Sequence, residues 1–182
     1  MTNKMPELVF EKNLIEYLCT GTITSENSVN ESSPDYIVRT KLWRYEPTIK
    51  TTEDLWANFK QILERLNQKT LERPLSTLEF EQVKRIISNL STPYAAGQFL
   101  YGTNGISQIE IDLDDDRHVF LTVFDQKQIG AGDTTYQIVN QIRRPAVIAG
   151  KENRCFDTTL LINGLPIIQI EEKKKQGILT KR

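Results

Sequence analysis

The chain has 182 residues, 38% hydrophobic and 26% charged, the profile of one ordinary soluble domain that can bury a core without staples. A net charge of −1 excludes a broadly basic nucleic-acid-binding surface, so any DNA contact has to be argued locally. Cys19 and Cys155 show neither a paired framework nor metal-ligand spacing, and there is no signal peptide and no apolar run near the roughly twenty residues of a membrane span. The expectation is a single domain over residues 1–182, cytoplasmic, with reduced thiols and no membrane contact.

Pro6 to Leu18 (PELVFEKNLIEYL) repeats apolar residues at helical spacing, with Leu8, Phe10 or Glu11, Leu14, Ile15 and Leu18 on one stripe and Gly21 as the stop. Glu7 and Glu11 share a face, and a solvated stripe accounts for them on spacing alone. Thr22 to Asp35 reads as an exposed loop. In Tyr36 to Tyr45 aromatics interleave with Arg39, Lys41 and Arg44, a mixture that stacks bases and holds phosphates but also occurs by chance. Thr51 or Thr52 caps a helix from Glu53 to Asn67, and Pro74 separates it from a second helix. Ser76 and Glu79 form a capping box that opens this second helix, which runs to about Leu90. Lys60, Arg65, Lys84 and Arg85 can touch a polyanion, although a solvated outer face is their commoner fate.

After Pro93 the period changes to two. Ser107 to Leu113 and His118 to Phe124 alternate as a hairpin joined through Asp114, Asp115, Asp116 and Arg117. The Asp run is no calcium loop, because Arg117 stands where such a loop needs Gly and Val123 where it needs Glu. His118, the only histidine, has no partner in view and reads as exposed or hydrogen-bonded. Tyr136 to Ile142 is a further strand.

Asn153 to Lys175 (NRCFDTTLLINGLPIIQIEEKKK) is a strand, an Asn163-Gly164 turn and a strand, with Asp157 before the turn and Glu171, Glu172 and three lysines after it. Equal parity puts Gln169, Glu171 and Lys173 on one face of the second strand, and Asp157 and Thr159 opposite Phe156, Leu160 and Ile162 on the first. A strict two-residue turn pairs Asp157 with Ile170 and leaves the acid on the wrong face. A three-residue loop with Gly164 left-handed pairs Leu161 with Leu165 and brings Asp157, Gln169, Glu171 and Lys173 together, so the bulged register is expected. Two carboxylates on adjacent strands, with a lysine beyond the second, suit a divalent ion such as Mg²⁺ and hydrolytic phosphate chemistry. An exposed salt-bridged hairpin carries the same residues, and Asp125-Gln126-Lys127 shows how readily Asp-x-Lys arises.

The string from Arg154 to Lys174, with Asp157 followed after thirteen residues by Glu171-x-Lys173 across INGLPIIQI, resembles the nuclease motif of the restriction subunit of type I restriction-modification enzymes. The segment around Phe10-Glu11 and Leu14-Ile15 resembles the first helix of the same domain. The resemblance implies a PD-(D/E)xK fold, an α/β domain with a mixed sheet flanked by helices, in which Asp157 and Glu171 hold the metal and Lys173 is the catalytic lysine. In related junction-resolving nucleases a Glu of the first helix, in a similar Glu-x-Asn context, supports the metal site. Glu11 matches it best and Glu7 is second, so the implied metal set is Asp157, Glu171 and Glu11. Phe156 stands where the superfamily has Pro, and Glu172 where an apolar residue is usual.

By the same resemblance the cofactor is Mg²⁺, the substrate double-stranded DNA, and the partners modification and specificity subunits. In that family a helicase-like motor follows the nuclease domain, so this chain reads as an N-terminal fragment; without a Gly-Lys-Ser/Thr phosphate loop it is expected to bind no ATP itself. The rival readings are a catalytically silent docking or DNA-contact module and a free-standing repair or junction nuclease.

Overall fold

The computed structural model describes residues 7–20, 43–129, 133–146 and 153–171. In chain order the elements are α1 (Glu7–Thr20), β1 (Trp43–Tyr45), α2 (Thr52–Leu66), α3 (Gln68–Leu71), α4 (Thr77–Ser88), α5 (Pro93–Tyr101), β2 (Ile106–Asp112), β3 (His118–Asp125), β4 (Tyr136–Arg144), β5 (Arg154–Ile162) and β6 (Leu165–Ile170). They form two compact units. One gathers the described residues up to Thr52 with 136–161 and those from Pro166 onward; the other holds 53–135 and the short segment 162–165.

In the second unit α2 turns Phe59, Ile62 and Leu63 inward, as its apolar spacing requires. Trp56 meets Phe59 and Phe80 edge-on at ring separations of 6.2 and 6.3 Å, a geometry that aligns ring edges with ring faces. The expected capping box is formed: Ser76 accepts from the Glu79 amide, and Glu79 accepts from Ser76 N. The Glu79 carboxylate does more than cap. It is fully buried, receives a forked pair of bonds from Arg73 at 2.9 and 2.7 Å and accepts the Asp114 amide at 2.8 Å. Chiefly through the Arg73 guanidinium, its pKa is pulled down from 4.5 to about 2.

β2 and β3 pair antiparallel, with a register shift between Ser107 and Gln108. Ile109, Ile111, Val119, Leu121 and Val123 are buried, the alternation that a sheet with one wet face demands. Side-chain amides serve the β3 backbone near the shift. Asn67 accepts from Thr122 N at 2.7 Å and donates to Thr122 O at 2.8 Å, while Asn163 donates to Val123 O at 3.0 Å. A helix over Pro93–Tyr101 corrects the expectation that the helical period ends at Pro93. Thr92 accepts from Ala95 N and Pro93 sits in the first turn, both start signals, but its Ala and Gly residues leave no apolar stripe to read.

In the first unit the strand order is β1-β4-β5-β6. β1 runs parallel to β4 with Trp43 opposite Tyr136, and β5 and β6 are joined through two residues, which only antiparallel neighbours allow. The expected α/β class with a mixed sheet is therefore present. α1 lies against this sheet through Ile15, in a cluster with Ile138 and Leu160 to which Leu18, Trp43, Tyr45 and Ile170 add. The stripe expected on α1 is corrected at its start: Leu8 is 72% and Phe10 50% exposed, whereas Glu11 is 4% exposed. The inward face of the helix carries a carboxylate where the spacing also offered Phe10.

Candidate active site

Glu11 is buried because the sheet answers its charge with donors. Asn140 Nδ2 donates to Oε1 at 3.0 Å, and Gln141 Nε2 lies 3.2 and 3.3 Å from the two oxygens. Each carboxamide is itself held from behind. Asn140 Oδ1 accepts from the Tyr45 hydroxyl at 2.8 Å and from the Lys50 ammonium at 2.5 Å, and Lys50 also donates to the Asn140 carbonyl at 2.8 Å. Gln141 Oε1 accepts from the Cys155 thiol at 3.2 Å. Burial pulls the Lys50 pKa down against the opposing charge of Glu11, and burial followed by that same charge pushes the Tyr45 phenol up. A solvated stripe is therefore the wrong description of Glu11. Its carboxylate is oriented by two layers of hydrogen bonds, as carboxylates that support a metal are, and a buried ion needs such partners in any case.

Asn140 and Gln141 sit inside β4, where the backbone of Gln141 turns left-handed (φ 55°). That conformation costs a residue with a Cβ about 1–2 kcal/mol. The only hint in the sequence is the pair of adjacent amides interrupting the apolar pattern of YQIVNQI. An open pocket of about 640 Å³ borders the network, lined by Glu11, Lys12, Glu16, Tyr45 and Asn140 among others.

The β5–β6 hairpin corrects one expectation. Strand β5 ends at Ile162 and β6 begins at Leu165, with Asn163 at φ 50° and Gly164 at φ 79°. That is a tight two-residue turn with both central residues left-handed, not a three-residue loop. Gly164 is required there, since a Cβ would stand 2.9 Å from the Phe59 Cα, and Asn163 is one of the few residues besides Gly that adopt this conformation readily. Leu160 and Ile170 pack into the same cluster under α1.

Asp157 is half-buried in β5 and Glu171 exposed just beyond β6, where Gln169 Nε2 donates to its carboxylate. Lys173 lies outside the described residues, as does the side chain of Glu7. Among the described residues no three His, Cys, Asp or Glu side chains stand close enough to hold an ion on their own. Asp157 and Glu171 nevertheless offer the hard oxygen donors that Mg²⁺ takes, and that ion needs only one or two carboxylates beside water and phosphate. Gln141 joins the Glu11 network to β5 through Cys155, two residues from Asp157.

Other chemistry-bearing residues resolve into local roles. His118 is exposed, but its ring nitrogens reach Asp112 at 2.7 Å and Glu110 at 2.6 Å, and these bonds raise its pKa above 6.5. The expectation of an exposed or hydrogen-bonded histidine holds, with Asp112 directly opposite it in the hairpin register. Asp125 caps a short 3-10 turn by accepting from Lys127 N. Lys60 and Lys84 pair with Glu64 and Glu81 on their own helices. Arg143 and Arg144 end β4 and Arg154 begins β5; all three are exposed. Ala146 N donates to Asn153 Oδ1 at 3.0 Å, which brings these strand ends together. Among the described residues none of the three guanidiniums forms an ion pair.

Residues 24–181 match the family described as the N terminus of the type I restriction enzyme R protein. The chain belongs to this family. It is 28% identical over 131 residues to the endonuclease subunit of type I restriction enzyme SauMSSORF170P of Staphylococcus aureus (strain MSSA476). The corresponding subunit of SsaAORF53P from Staphylococcus saprophyticus is 30% identical over the same length. Each alignment takes in 70% of this chain and 13% of the relative, so the chain corresponds to a small part of those subunits. The family match holds Asp157, Glu171 and Lys173 and begins after α1, which leaves Glu11 outside it. Among the described residues no helix is long and apolar enough to cross a membrane.

Proposed function

We propose that this chain is the nuclease part of a type I restriction endonuclease subunit, hydrolysing phosphodiester bonds of double-stranded DNA with Mg²⁺ as the PD-(D/E)xK enzymes do. The observation that carries the reading is the family match over residues 24–181, which takes in Asp157, Glu171 and Lys173. Asp157 and Glu171 would hold the ion, with Glu11 as the supporting carboxylate. The ion, when bound, polarises the phosphodiester and acidifies a water. Lys173 would orient that water and offset the charge developing on the phosphate. The subunit would act in the cytoplasm with modification and specificity subunits, and ATP would be bound by parts of it that these residues do not include.

Isothermal titration of the 182-residue chain with Mg²⁺ or Mn²⁺ should show binding at millimolar ion or below, abolished by Asp157→Ala. No binding by the unaltered chain would overturn the metal reading. A silent DNA-contact module is the second reading, because the Glu11 carboxylate already accepts from two carboxamides and no three ligands converge among the described residues; a chain that binds duplex DNA but never an ion would establish it.

For the DNA itself the three arginines at the β4 and β5 ends are the phosphate contacts of choice. Replacing Arg143, Arg144 and Arg154 by Gln should lower the slope of log affinity against log salt by about one for each phosphate no longer neutralised. An unchanged slope would place the phosphate-binding side chains elsewhere.

A further inference from the structure

The left-handed residue in the middle of β4 is not explained by folding. Strands do not need that conformation, Gly would adopt it without strain, and yet a glutamine occupies the position. What the glutamine gains is reach in two directions: its Nε2 meets both oxygens of Glu11 on α1, and its Oε1 accepts from the Cys155 thiol on β5. The two ends of a carboxamide differ, one donating and one accepting. The Cys155 bond therefore fixes which end faces Glu11. Asn140, the other donor, is locked in the same sense by Tyr45 and Lys50.

We infer that Gln141 is a positioning residue, which sets the Glu11 carboxylate and couples it to the strand carrying Asp157, so that the divalent ion finds its supporting ligand in place. This rests on the nuclease reading, since it assumes an ion to be bound. Backbone strain held at one residue, with the side chain committed to a neighbouring carboxylate, is the signature of a site favoured over stability.

The test separates stability from affinity. In chelator, Gln141→Gly should melt at the same temperature as the unaltered chain or higher, because the strain is relieved. Its Mn²⁺ affinity by calorimetry should fall ten- to a hundred-fold, the usual consequence of removing a partner of a metal-supporting group. Gln141→Asn keeps the backbone preference and the carboxamide but is one methylene short, and its affinity should fall likewise. Glu11→Gln should weaken binding by a similar factor, and Glu11→Gln with Gln141→Gly by no more than the larger single effect, as residues acting through one another do.

A Gln141→Gly chain that binds Mn²⁺ as tightly as the unaltered one overturns the inference alone. One that melts well below it in chelator shows that Gln141 holds the fold instead. An unaltered chain that binds no Mn²⁺ removes the nuclease reading and the inference together.

Discussion

Lys173→Ala, placed in the full-length endonuclease subunit, is expected to lower DNA cleavage by roughly a hundred- to a thousand-fold while leaving ATP-driven translocation unchanged. The expectation follows from what an ammonium two residues past a metal-holding carboxylate would do. On the proposed reading it would act on the water and the phosphate during hydrolysis and take no part in binding the ion, so calorimetric metal affinity should move little. On the proposed reading translocation would belong to a motor that these residues do not include. Cleavage and translocation assayed on the same preparation decide the matter: loss of both would mean that Lys173 supports the fold, and retention of both would move the catalytic cation elsewhere. Lys50 is then the residue to examine, since its ammonium already lies in the polar network around Glu11.

Glu79→Ala should cost about 3 kcal/mol of stability in the second unit. It removes the acceptor of two backbone amides, Ser76 N and Asp114 N, and leaves Arg73 without its forked partner. An ordinary cap accounts for about half of that loss or less; the burial of the carboxylate supplies the rest, tempered because the Arg73 side chain remains 39% exposed. The pH dependence has a definite sign. A carboxylate whose folded pKa is lowered stabilises fully above its ordinary value of 4.5 and loses that contribution as the pH falls towards about 2. The stability gap between the unaltered chain and Glu79→Gln should therefore be constant near neutrality and narrow below 4.5. Urea unfolding followed by tryptophan fluorescence across that range measures it, and a gap indifferent to pH would show that the ion pair contributes nothing beyond shape.

What could be read from the sequence was local. The capping box at Ser76, the α2 stripe and the β2–β3 alternation each depend on residues within a turn or two of one another, and all are present. The candidate site could be named from a linear motif only at Asp157 and Glu171. It was illegible where partners come from distant elements: Asn140 and Gln141 stand 129 and 130 residues from Glu11, and no spacing rule links them. β1 was hidden for the same reason, because three residues make a strand only when β4 is beside them. The turn failed differently. Asn163 and Gly164 both take the left-handed conformation of a two-residue turn, and a three-residue loop with Gly164 left-handed draws on the same pair, so the residues there did not separate the two.

The pairing of β1 with β4 also sets an order of assembly. Trp43 and Tyr136 lie far apart in the chain, and closing so long a loop costs entropy that only later contacts offset. On the ribosome, β1 emerges long before its neighbour exists. Residues 53–129, whose helices and hairpin find their partners nearby, can fold meanwhile, whereas the sheet carrying Asp157 and Glu171 cannot begin to close until β4 has been synthesised. The residues of the proposed site are therefore brought together only after β4, β5 and β6 have joined β1.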